Sequence, residues 1–199
     1  MAGQPDDMSI IAQVVGGDVD AFEHLLARYE APVINLVAAH VPGEHVAEVA
    51  HEAFIRAFKA LPGYAPKRPF RNWLTTIALR TCHDFWRVHY RRREAPASDL
   101  SDNGQQFIEA AMAADSREEF ERLARAREAR EVLALVLDRL SPMDRLVITL
   151  TGLEERPVSE AAEMLGISVP NVKIRAHRAR LKLRHFLKQH GMQGGDYAS

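Results

Sequence analysis

Two groups of side chains in this sequence have the chemistry of polyanion binding. In the first, Tyr64, Phe70, Trp73, Phe85, Trp86 and Tyr90 are interleaved with Lys67, Arg68, Arg71, Arg80, Arg87 and Arg91–Arg93. Flat aromatic faces stack unpaired bases, and cationic side chains follow a phosphate strand. Trp73 shares an apolar stripe with Leu74, Ile77, Ala78, Thr81 and Phe85 and is assigned to packing. Tyr64, Trp86 and Tyr90 are the aromatic residues expected at the surface. The second group lies in GISVPNVKIRAHRAR, residues 166–180, which holds four Lys/Arg and no acid.

The 199-residue chain carries a formal charge of only −1, and that total hides a segregation. Residues 65–93 hold eight Lys/Arg against one acid, and residues 171–188 hold seven against none. Residues 94–131 reverse the balance, with ten acids against five cations. Two cationic blocks in an otherwise acidic chain suggest two polyanion-facing patches joined by a segment that avoids the polyanion. Two solvated helix faces are the plain alternative. The association of each block with a structural motif favours nucleic acid.

Catalytic and metal constellations are missing from the sequence. His51-Glu52 begins like H-E-x-x-H, but Ile55 stands where the second His belongs. No phosphate-binding Gly-rich loop and no G-x-S-x-G is found. Cys82 is the single cysteine, which leaves no intramolecular disulfide and no Cys-x-x-Cys metal pair; it reads as a small core hydrophobe. His40, His45 and His51 have no Cys or carboxylate cluster to complete a metal shell. A non-enzymatic protein with no cofactor is expected. The opening MAGQPDDMS lacks the basic and apolar regions of a secretory signal, and runs such as VLALVL are too short to span a bilayer. A cytoplasmic protein with no membrane insertion is expected.

The elements that must hold these groups are all helical. Apolar residues recur at i, i+3 and i+4, and period-2 alternation does not persist anywhere. The spacing predicts helices over 8–15, 18–41, 45–61 and 70–90, with Pro42-Gly43 and LPGYAPKRP as breaks. EAPASDLSDNGQQ is rich in turn and polar residues and reads as a linker. Ser116 with Glu119 forms a capping box that opens a helix to about 140. Ser141 with Pro142 restarts the chain as N-cap and N1 of a helix to about 152. Helices over 159–165 and 168–190 follow. The predicted architecture is all-α: two small helical domains joined by a flexible linker, the C-terminal one a helix-turn-helix. The expected divisions are 1–93, an acidic linker over 94–127, 128–190 and a tail over 191–199.

The helix-turn-helix reading rests on spacing. Ala162 is small where two helices meet. Gly166 follows where the turn needs positive φ, and Val172 comes six residues later to anchor the second helix. Ser168 is the N-cap, and Pro170 in the first turn marks a helix start rather than a break. Val172, Ala176, Ala179, Leu183, Phe186 and Leu187 form the core stripe. Asn171, Ile174, His177 and Arg178 lie opposite, flanked by Lys173, Arg175 and Arg180. Residues near the N-terminus of such a helix meet base edges, and flanking cations neutralise phosphates.

With both motifs in order, the chain resembles the extracytoplasmic-function (ECF) sigma factors, the two-domain minimal class of bacterial transcription initiation factor. DVDAFEHLLARYEAPV, VAEVAHEAFIRAFKAL and FRNWLTTIALRTCHDFWR carry the resemblance in the first part. RLSPMDRLVITLTGLEERPVSEAAEMLGISVPNVKIRAHRARLKLRHFL carries it in the second; together they cover about 18–93 and 133–187. The resemblance implies core RNA polymerase as partner, bound through the clamp helices of its largest subunit by Glu48, His51, Glu52, Ile55 and Lys59. It implies −10 recognition and melted-strand contact by Tyr64, Lys67, Arg68, Arg71, Asn72, Arg80, His83, Trp86 and Arg87, with a flipped base held near 64–69. It implies −35 recognition in promoter DNA by Pro170, Asn171, Lys173, Ile174, Arg175, His177, Arg178 and Arg180, and an anti-sigma factor as regulator. His51 stands where the family pattern has Gln, and Arg80 where it has Asn; these departures are expected to retune polymerase binding and −10 preference. A stand-alone helix-turn-helix regulator with an N-terminal sensing or dimerisation domain accounts for the C-terminal motif. It leaves the first cationic–aromatic block unexplained.

Overall fold

A computed structural model describes residues 6–93 and 133–189. The expected linker, the capping pattern at Ser116 and Glu119, and the tail over 191–199 lie outside the described residues. Every regular element among the described residues is helical. No helix among them is long and apolar enough to cross a membrane.

Four helices make the N-terminal half: α1 (Asp7–Val15), α2 (Phe22–Ala38), α3 (Val46–Ala60) and α4 (Phe70–Arg93). Asp6 caps α1 by accepting from the Ser9 N–H at 2.7 Å. Asp18 caps the short 3-10 turn Val19–Ala21 that leads into α2. Helix α2 stops at Ala38, short of the expected 41, because the chain tightens there: the His40 N–H donates to the Val37 carbonyl, and Pro42 follows. Helix α4 runs to Arg93, past the expected 90, since no breaker occurs before Pro96. Val49, Ala50, Ala53, Phe54 and Ala57 of α3 pack against α2 and α4, where Leu25, Val33, Val37, Leu74, Ala78 and Cys82 are buried. The alanines let the helix axes approach closely.

The C-terminal half contains α5 (Pro142–Ile148), a π-helical turn over Thr149–Leu153, α6 (Val158–Leu165) and α7 (Val169–Gln189). Ser141 caps α5 from Oγ to the Asp144 N–H, with Pro142 at N1 as expected. The π turn replaces the last part of the expected helix. There the Thr151 hydroxyl donates back to the Val147 carbonyl, and Glu155 turns the chain at φ 53°.

The two halves share one apolar core. Leu146, Val147, Leu150, Ala161, Ala162, Leu165, Val172 and Ala176 join the same buried cluster as Val33, Leu74, Leu79 and Cys82. Helix α4 is the seam, packing on α2 and α3 from one side and on α5 and α6 from the other. A smaller cluster of Leu137, Leu140, Ile148 and Ala179, backed by Leu183, closes the far side of the C-terminal half.

Candidate nucleic-acid interface

Helix α7 is placed by the turn that precedes it. Gly166 adopts φ 67° and ψ 33°, the left-handed region in which a Cβ is penalised. The Gly166 N–H donates to the Glu163 carbonyl and the Ile167 N–H to the Ala162 carbonyl, the paired bonds of a Schellman C-cap. Ser168 Oγ then accepts from the Asn171 N–H at 3.4 Å, opening α7. Val172, Ala176, Ala179 and Phe186 are buried on the inner face and Leu183 is half-buried, as expected of the stripe at those positions; the side chain of Leu187 lies outside the described residues.

The outer face of α7 presents Pro170, Asn171, Lys173, Ile174, His177, Arg178 and Arg180 to solvent. Ile174 keeps 52% of its surface, an apolar contact of the kind that suits a thymine methyl. Arg175 departs from the expectation. It is half-buried, its Nη1 donates to Asp144 Oδ1 at 2.8 Å, and its Nε donates to Asn171 Oδ1 at 2.9 Å. It braces α7 against α5 and orients the Asn171 amide rather than standing free. Asp144 is 9% exposed, and a carboxylate so buried requires a charged partner.

The α4 surface divides in two. Lys67, Arg68, Arg71, Asn72, Arg80 and Arg87 are exposed, as expected. Tyr64 is half-buried: its ring lies 5.1 Å from Trp73 and 5.8 Å from Phe70, and its hydroxyl donates to the Arg68 carbonyl at 2.7 Å. This knits the 64–70 loop onto the start of α4. Trp73 packs on the core. Trp86 corrects the expectation of exposure, since it is 2% exposed. Its Nε1 donates to the His40 carbonyl at 2.8 Å, and the Arg145 guanidinium carbon lies 3.6 Å from a ring centre. Tyr90, also expected at the surface, is half-buried at 5.4 Å from Trp86. The spacing Leu79, Cys82, Trp86 at i, i+3, i+7 was the signal that Trp86 continues the inner stripe.

Asp84 is a residue whose importance to the site the sequence pattern left unassigned. It accepts from Arg56 Nη1 of α3 at 2.6 Å and lies 3.4 Å from Arg87 Nη2 and 3.6 Å from His83 Nδ1. Partial burial pushes the carboxyl up, but Arg56, Arg87 and the His83 hydrogen bond outweigh it and hold it below the usual carboxylate range. Asp84 thereby fixes two of the candidate strand-contacting residues, His83 and Arg87.

The outer side of α3 carries the remaining candidates. Glu48, His51 and Lys59 are exposed, and Glu52 and Ile55 are half-buried beside them. Glu52 accepts from Arg56 Nε at 2.7 Å, so one arginine links this face to Asp84 of α4. Cys82 is fully buried, and burial pushes its thiol up to about 12, consistent with packing alone. No cluster of three or more metal-ligating side chains occurs among the described residues.

Comparison with known proteins places both halves. Residues 25–100 match the family model for sigma-70 region 2, and residues 130–183 match that for sigma-70 region 4. The chain is 31% identical over 180 residues to the ECF RNA polymerase sigma-E factor of Escherichia coli K12, covering 90% of this chain and 93% of that protein. It is 32% identical over 182 residues to the RNA polymerase sigma factor CnrH of Cupriavidus metallidurans, covering 91% and 94% respectively. The solved structure of CnrH in complex with the cytosolic domain of CnrY superposes with a TM-score of 0.51 at 29% identity, over 92% of this chain and 97% of that one.

Proposed function

The chain belongs to the ECF sigma factors, and from that premise we propose how its residues start transcription. The protein binds core RNA polymerase, recognises the −35 and −10 promoter elements and promotes melting between them. Residues 1–93 form the polymerase- and −10-binding domain, 94–127 the linker, and 128–190 the −35-binding domain. The exposed side of α3 (Glu48, His51, Glu52, Ile55 and Lys59) meets the clamp helices of the polymerase's largest subunit. The outer face of α7 enters the major groove at −35. Arg178 and Lys173 are placed to reach base edges or phosphates, and Ile174 supplies apolar contact. Along α4 and its preceding loop, Lys67, Arg68, Arg71, Asn72, Arg80 and Arg87 track the single strand. A base flipped toward the 64–69 loop is repaid for its unstacking, about a few kcal/mol, by contacts with Tyr64 and its neighbours. The protein acts in the cytoplasm, is not itself a catalyst, and has an anti-sigma protein as regulator.

The single observation that carries this reading is the coexistence, in one chain, of a capped helix-turn-helix with an outward cationic face and a second cationic strand on α4. A duplex-binding regulator needs only the first. Run-off transcription with purified protein and bacterial core polymerase on a promoter library tests it, each component also being assayed alone. Specific transcripts are expected only in the mixture. Tight duplex binding by the protein alone, with no transcripts in the mixture, would overturn the reading in favour of a stand-alone regulator.

A further inference from the structure

We propose that Asp7 of α1 and Tyr29 of α2 are a positioning pair that sets the 64–69 loop and thereby tunes base preference at the −10 element. The proposal rests on the sigma-factor reading for what the loop contacts, and on geometry for how the loop is held. Neither residue belongs to the contact sets named above, and Asp7 precedes the stretch 25–100 that matches sigma-70 region 2.

The pair begins on an anchored helix. Helix α1 is capped by Asp6 and buries Ile10 and Ile11, which holds Asp7 of its first turn against α2. Asp7 Oδ2 accepts from the Tyr29 hydroxyl at 2.6 Å, and Asp7 Oδ1 accepts from Arg28 Nη1. Both carboxylate oxygens are thus engaged, and the Tyr29 ring is held at its hydroxyl end. The ring passes this order on to the loop. It meets Phe70 edge to face at 5.4 Å, and Phe70 is buried. Phe70 lies 5.8 Å from Tyr64 and 5.4 Å from Trp73, and Tyr64 lies 5.1 Å from Trp73. Tyr64 opens the loop and Phe70 follows it, so both ends rest on the ring cluster that Tyr29 joins. Helix α1 also packs on Leu61–Gly63, the 3-10 turn that leads into the loop. Edge-to-face ring pairs are directional, so a change in the tilt of Tyr29 is felt at Phe70 and beyond it.

The electrostatics agree with the geometry. Burial first, and then the hydrogen bond to Asp7, push the Tyr29 hydroxyl up to about 12, so it remains a donor throughout the neutral range. After burial, the Asp7 charge also raises the Tyr64 hydroxyl, which puts this carboxylate within electrostatic reach of the loop itself. Arg71, a candidate strand-contacting cation, is near enough to act on the Tyr29 hydroxyl in the opposite sense. A pocket that tells one base from another must hold its walls to within about 0.5 Å, and that precision comes from residues behind the contact surface. Asp7 and Tyr29 stand in that place: they touch the rings that carry the loop.

The test uses the full-length protein with 5-fluorotryptophan at its two tryptophans, Trp73 and Trp86. Trp73 stands in the ring cluster, whereas Trp86 lies farther along α4 against His40 and reports on the fold at large. Y29F removes only the hydroxyl, and D7A removes its acceptor. Each should shift or broaden the Trp73 fluorine resonance and leave that of Trp86 in place. Run-off transcription by the unlabelled protein with core polymerase is then measured on single-base −10 variants. The ratio between the best and second-best base should fall about threefold in Y29F, as for the loss of one neutral hydrogen bond, and about tenfold in D7A, where the acceptor is charged. D7E should restore part of the ratio. A purely structural role would depress every −10 variant by the same factor, and that outcome would overturn the proposal. So would an unmoved Trp73 resonance, or equal movement of both resonances. Absence of transcripts from the unsubstituted protein sinks the sigma-factor reading instead, while the Trp73 resonance still decides whether Asp7 and Tyr29 set the loop.

Discussion

Helix α7 is held by its immediate neighbours in sequence, and α4 by residues far away. The turn before α7 is closed by Ala162 and Glu163 carbonyls, opened again by Ser168, and anchored by Val172, all within about ten residues. The key contacts of α4 are long-range: Trp86 to His40 across 46 positions, Tyr90 to Arg145 across 55, and Asn72 to Glu163 across 91. The candidate duplex-contacting helix is therefore shaped locally, with its outer face exposed. The candidate strand-contacting helix is shaped by tertiary contacts, several of which are made by the C-terminal half. A helix fixed by local rules keeps its shape whatever its neighbours do, whereas the shape of α4 depends on distant residues staying in place.

The largest expected effect comes from breaking the tertiary side of this contrast. Trp86→Ala removes a buried ring that is bonded to His40 and stacked under Arg145, and should cost about 3–5 kcal/mol in urea unfolding of the whole chain. A loss below about 1 kcal/mol, with only DNA melting impaired, would mean that Trp86 is a surface stacking platform after all. Breaking the local side should cost less. Gly166→Val forces a β-branched residue to φ 67°, and its Cβ would also crowd Arg80. About 2 kcal/mol is expected, with −35 duplex affinity falling as α7 loses its entry angle. Unchanged stability would show that the left-handed turn is not required.

The same contrast explains what could be read from the sequence. The helix-turn-helix was legible residue by residue, since Ala162, Gly166, Ser168, Pro170 and Val172 each answer to a rule spanning one turn of chain. The exposed cations of α4 were legible as a charge block. Trp86 reads as a surface residue because Arg87 and Arg91–Arg93 follow it, while its inner-stripe register with Leu79 and Cys82 carries the better information. Arg175 was placed with the DNA-facing cations because its partner, Asp144, lies 31 positions away and nothing local announces the pairing. The shared core of the two halves was illegible for the same reason: each half has its own helical periodicity, and no periodicity says which faces of separate elements meet.

Arg175 and Arg178 sharpen the comparison within α7 itself. Arg178 is exposed on the outer face, so Arg178→Ala should lower −35 duplex affinity by about 1–3 kcal/mol, read by fluorescence anisotropy, and leave unfolding unchanged. Arg175→Ala leaves the buried Asp144 carboxylate without its cation and should cost about 2 kcal/mol of stability. Its effect on affinity should follow only from the freed Asn171. Equal losses of affinity at equal stability would return Arg175 to the DNA-facing set.

The smallest effect tests whether α4 owes part of its shape to charge as well as to packing. The Asp84 carboxyl is held below its ordinary range in the folded protein, so the unfolded chain takes up its proton first as pH falls. The stabilisation it gives is present in full above the unfolded value, about 3.9, and is lost as pH drops through the lower folded value. Asp84 is about one-third exposed, so the effect is held to a few tenths up to about 1 kcal/mol. Asp84→Asn should lower stability by that amount at neutral pH and by progressively less below pH 4, with the two stability curves converging in acid. Parallel curves would show that the Arg56–Asp84 contact works through shape alone. They would also leave His83 and Arg87 positioned by the packing of α4, placing all of its candidate strand-contacting surface under tertiary control.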